Sequence, residues 1–91
     1  MQRVIVIGKI ERIDKNYFEM ALNNILFGCL VKTVRIIHTK KVNIKSGMNI
    51  VVYIDIIYVS GNLLLGSLES IKSIKSVDSY NWLDCGGLRL W

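Results

Sequence analysis

From Arg3 to Ile13 the chain alternates. Val4, Val6, Gly8, Ile10 and Arg12 fall on one face, and Ile5, Ile7, Lys9, Glu11 and Ile13 on the other. A period of two carried by β-branched residues predicts a strand, and Gly8 inside it predicts a bend or bulge of the kind found at a barrel corner. Asp14-Lys15-Asn16 is turn chemistry, and Tyr17–Leu22 reads as a second strand that closes a hairpin. Asn23-Asn24 predicts a two-residue turn, because Asn tolerates positive φ. A third strand is then expected over Ile25–Val34, with Gly28 in its middle. Ile36-Ile37 followed by His38-Thr39-Lys40-Lys41 breaks the alternation, so a loop with room for one helical turn is expected there. Ser46-Gly47 turns the chain into a fourth strand, Met48–Tyr58, and Ser60-Gly61-Asn62 into a fifth, Leu63–Leu68.

Beyond that point the period changes. Ile71, Ile74 and Val77 recur every third residue, which predicts a weak helix lying against the rest. The last segment, DCGGLRLW, has no period and predicts a frayed or loosely docked end, with Trp82 and Trp91 covering apolar surface. Five closely spaced strands, with the longest insert between the third and the fourth, are the layout of an oligonucleotide-binding (OB) barrel. The predicted class is therefore all-β: a five-stranded OB-fold barrel over 1–69 and a C-terminal tail over 70–91. Another small barrel, such as an SH3-like one, is the alternative.

Composition narrows this. The chain has 91 residues, enough for one small domain and one core. Hydrophobic residues make up 52% of it, so a membrane span has to be considered. The best candidate, NIVVYIDIIYV at Asn49–Val59, is interrupted by Asp55 and falls short of the roughly 20 apolar residues a span needs. MQRVIVIG lacks the long apolar core of a signal peptide. Cys29 and Cys85 stand far apart without CxxC spacing, which predicts two reduced thiols and no zinc site. A reducing, cytoplasm-like compartment is expected. The absence of Pro, the single Ala and the abundance of Ile, Lys and Asn point to an AT-rich genome, as in organelles and endosymbionts.

The formal net charge is +5, and it is uneven. Residues 1–76 hold eleven Lys and Arg against five Asp and Glu, whereas the last fifteen hold Arg89 against Asp78 and Asp84. Residues 29–46 contain no carboxylate. Such clustering predicts a polyanionic partner. Catalysis finds little support. The one histidine, His38, sits among cations, no nucleophile–base spacing is present, and Gly86-Gly87 has no strand-to-helix context for a phosphate loop. A binding protein without cofactor or metal is expected, not an enzyme.

Nucleic-acid binding asks for cations to neutralise phosphates and aromatics to stack on bases. Lys32, Arg35, His38, Lys40, Lys41 and Lys45 surround the loop expected between the third and fourth strands. Lys9, Arg12 and Lys15 lie at the first hairpin beside Tyr17 and Phe18. Tyr17 is the stacking candidate, and Phe18 is expected in the core.

The order of these features resembles the bacterial and organellar translation initiation factor 1 family, a single S1-like OB domain. The resemblance runs from about Ile7 to Leu68. It is carried by Gly8-Lys9-Ile10-Glu11, by the turn and second strand Asp14–Leu22, by Asn24, by LFGCLVKTVR at 26–35 and by VNIKSGMNIVVYI at 42–54. It implies an OB fold and a monomeric factor that binds ribosomal RNA near the A site of the small subunit, alongside other initiation factors, with the basic loop making much of the contact. Asn43, Met48 and Gly61-Asn62-Leu63 depart from the family pattern, which has Arg at the first position, an acid at the second and an Arg opening the fifth strand. An OB-type ribosomal protein, a general RNA-binding OB domain, and a protein- or membrane-surface module are the other readings.

Overall fold

The computed structural model describes residues 2–75 and the backbone of residues 87–90. Six strands follow one another: β1 (Arg3–Ile13), β2 (Tyr17–Leu26), β3 (Cys29–Ile37), β4 (Asn49–Ser60), β5 (Leu63–Ser73) and β6 (Gly87–Leu90). The sheet order is β2-β3-β5-β4-β1-β6, and a further pairing of β2 with β1 closes the first five strands into a barrel. β3 runs parallel to β5, and the other ladders are antiparallel. This closed five-stranded sheet is an OB-fold barrel.

Alternation explains the closure. Val4, Val6 and Ile10 of β1, Phe18 and Met20 of β2, Val34 and Ile36 of β3, and Ile50, Val52 and Ile54 of β4 all turn inward and are almost wholly buried. Closure removes sheet edges that would otherwise template aggregation. Phe18 is fully buried, as its place in the second strand predicts.

β1 changes partner along its length. Arg3–Lys9 pair with β4, and Ile10–Ile13 with β2. The bulge that makes this corner lies between Ile10 and Arg12. Gly8 instead sits in regular register opposite Ile50, so the bend expected at the glycine is displaced toward Glu11.

Further expectations are corrected. The turn between β2 and β3 is Phe27-Gly28, both at positive φ, and not Asn23-Asn24. The two asparagines lie in β2, where the register with β3 shifts between Ala21 and Asn24. β3 also continues through Arg35, Ile36 and Ile37, because Ile36 fills the core and Ile37 pairs with Tyr17. The loop that follows has no helical turn. Finally, β5 crosses residue 69 and runs to Ser73, pairing Ile71 with Val52, so the helix expected from Ile71 onward is a strand at its start. The rest of that expected helix, and Trp82, Cys85 and Trp91, lie outside the described residues. The terminal segment, expected to be frayed or loosely docked, forms β6 at Gly87–Leu90, in register with Val4–Ile7. Among the described residues no helix is long and apolar enough to cross a membrane.

Candidate nucleic-acid interface

Two connections meet at one end of the barrel: the β1–β2 turn and the loop from His38 to Met48. The turn is tight because Asp14 works on both sides of it. Its amide donates to Tyr17 O at 2.8 Å, and its carboxylate accepts from the Lys15 amide at 2.7 Å. That amide is the main reason Asp14 is held below the ordinary carboxylate range, with smaller help from the Tyr17 side chain and the charge of Arg12. The acid of the turn is thus engaged by its own hydrogen bonds, while Glu11, exposed near the end of β1, is a second acid at this end.

The long loop is tied down at both ends. The His38 amide donates to Asn16 O at 3.0 Å, and the Gly47 amide to Ile10 O at 2.7 Å. The Ser46 hydroxyl donates to Glu11 O at 3.1 Å. His38 Nδ1 lies 2.9 Å from Lys40 O. A carbonyl only accepts, so Nδ1 carries a proton and donates. Nε2 is buried with no hydrogen-bond partner among the described residues, and the ring tilts against Phe18 at 5.9 Å.

Between turn and loop opens a cleft of about 360 Å³ lined by Lys15, Asn16, His38, Thr39, Lys40 and Lys41, with Ile13, Asp14, Val42 and Ile44. Lys15, Lys40 and Lys41 are exposed, and no described residue forms an ion pair with them. A second opening, of about 450 Å³, brings Lys9 beside Ser46 and Gly47. Exposed Lys45 is the neighbour of Ser46.

The outer face of β2 and β3 leads away from the cleft. Tyr17 stands opposite Ile37, and Glu19 opposite Arg35. Arg35 Nε donates to Glu19 Oε2 at 2.8 Å, and its guanidinium carbon lies 4.9 Å from the Tyr17 ring centroid. The Glu19 bond raises the Arg35 pKa further above its ordinary value. Arg35 therefore occupies one face of the stacking candidate, with its Nε committed to Glu19.

The sequence-predicted set divides accordingly. His38, Lys40 and Lys41 converge with Lys15 on one cleft. Lys9 borders the neighbouring opening, Arg12 is exposed just past the bulge, and Lys32 sits exposed toward the far end of β3. Arg35 and Tyr17 form a pair of their own on the strand face. Away from this surface, Asp55 and Glu69 both contact Arg3, at 2.8 and 3.4 Å. Among the described residues no group of His, Cys, Asp and Glu has the arrangement of a metal site. Sequence reasoning passed over Phe27 and Tyr58, both exposed aromatics. The Phe-Gly pair and the position of Tyr58 near the end of an otherwise buried strand were the available signals.

No family model matches the chain, and no curated protein and no solved structure matches it.

Proposed function

We propose that this chain binds RNA through its phosphate backbone and acts on the small ribosomal subunit in the manner of translation initiation factor 1, near the A site. The observation that carries the reading is the cleft where Lys15, Lys40 and Lys41 stand together, unpaired among the described residues, while Asp14 is turned into its own hydrogen bonds. Three ammonium groups around one concave surface suit consecutive phosphates, and lysines of this kind position a strand without reading its sequence. The OB barrel supplies the rigid frame on which such a surface is commonly built. The short connections at Asp14–Asn16, Phe27-Gly28 and Gly61-Asn62 favour a compact factor over a permanent ribosomal component with long RNA-threading loops.

The test is the salt dependence of binding to single-stranded RNA. Each phosphate neutralised on a single strand contributes about −0.7 to the slope of log affinity against log salt. Three cleft lysines predict a slope of about −2 or steeper. Lys40→Glu with Lys41→Glu is expected to flatten the slope by about 1.4 while leaving the melting temperature near the parent's, because both side chains are exposed. A parent that does not bind, or a double variant with the parent's slope, removes the cleft from the interface.

A further inference from the structure

The β2–β3 hairpin ends in Phe27-Gly28, and Phe27 has φ +50°. A two-residue turn with both central residues at positive φ favours Asn-Gly or Gly-Gly. A bulky aromatic in the left-handed region is an outlier that costs stability. Burial does not offset that cost, since Phe27 is 58% exposed. Ile25 and Leu30, a cross-strand pair beside it, are 70% and 45% exposed. A strained and exposed aromatic is better explained by what it touches than by the fold.

The surrounding surface indicates the chemistry of that partner. No Asp or Glu occurs between Glu19 and Asp55, a stretch that covers the tip of the hairpin, β3 and the basic loop. Lys32 stands exposed two residues after Leu30. From the tip, the outer face of the hairpin runs past the Arg35–Tyr17 pair to the cleft cations. Flat apolar faces on a polyanion are the mark of single-stranded RNA with unpaired bases.

We infer that Phe27, flanked by Ile25 and Leu30, stacks on an unpaired base of the same RNA strand whose backbone the Lys15–Lys40–Lys41 cleft holds. This rests on the RNA reading above and adds a second, base-contacting site at the opposite end of β3. The nine residues of β3 span about 30 Å, within the reach of the 4–16 nucleotides, roughly, that an OB barrel covers.

Phe27→Asn gives the turn the residue its backbone favours. Its melting temperature is expected to rise by about 4 °C, while its affinity for a single strand of about 12 nucleotides falls by about tenfold. The salt slope stays that of the parent, because stacking releases no counterions. A 2-aminopurine placed in the strand is quenched by the parent and not by the variant. Phe27→Gly, which also suits positive φ, behaves the same way. Parent-like affinity and quenching in either variant overturns the inference and leaves the RNA reading standing. A parent that binds no RNA overturns both. Binding to anionic vesicles, or self-association, that the parent shows and the variants lose, with RNA affinity unchanged, assigns the tip to a lipid or to a second copy and overturns the inference too.

Discussion

Asp14 shows how a single side chain can make a basic surface usable. It is the one carboxylate lining the cleft, yet the Lys15 amide directs it into the turn and lowers its pKa from the ordinary 3.8. A carboxylate depressed on folding stabilises the native state above its unfolded value. That contribution is lost as pH falls from 3.8 through the lower folded value. Asp14→Asn is therefore expected to melt below the parent at neutral pH, with the difference shrinking as pH drops below 3.8; melting curves across that range check it. Arg35 shows the opposite case. As a letter in a basic stretch it is one more phosphate ligand, but its position opposite Glu19 makes it half of an ion pair stacked on Tyr17. Sequence spacing singles out the cations as a group. It could not reveal which of them faces a carboxylate across a ladder, because that depends on register.

At the scale of elements, two contacts hold the barrel's shape and can be broken singly. Gly66 of β5 lies where a Cβ would sit 2.8 Å from Ile54 Cδ1 and 3.0 Å from Asp55 O. Gly66→Ala forces β4 and β5 apart and is expected to cost about 1–3 kcal/mol, read as a fall in melting temperature. β6 pairs with Val4–Ile7 of β1. Removing residues 87–91 unpairs that edge, so the melting temperature is expected to fall by about 5 °C or more, and the exposed edge favours self-association on gel filtration. β1, the Asp14–Asn16 turn and the Gly61-Asn62 turn were legible because strict alternation abutted unambiguous turn residues. The β2–β3 turn was not. Asn23-Asn24 carries stronger turn chemistry than Phe27-Gly28, and only the core's demand that Leu22, Leu26 and Val31 all face inward moves the turn to the later pair. The extension of β5 was hidden in the same way. The isoleucines at spacing three imitate a helix because Ile71 lies in β5 and Ile74 just beyond the strand's end at Ser73.

At the scale of the whole molecule, most cations of the described residues lie on the β1–β2 hairpin, β3 and the long loop. Asp55 and Glu69 gather around Arg3; on the cationic side Asp14 and Glu19 are engaged in hydrogen bonds and Glu11 is exposed. Under the proposed function, such an arrangement would steer a polyanion to the cationic side of the barrel. The five barrel strands and their closure followed from the sequence pattern, whereas β6 did not. The meeting of Lys15 with Lys40 and Lys41 did not follow, since it depends on β1 and β2 closing against the loop between β3 and β4. The most direct test of the account is co-sedimentation of the chain with purified small ribosomal subunits, at low and moderate salt, with a competing oligonucleotide. The account predicts saturable binding near one chain per subunit that weakens with salt, resists the competitor and is lost in the Lys40→Glu, Lys41→Glu variant. Absence of binding at either salt, or binding that the double variant retains in full, would contradict it.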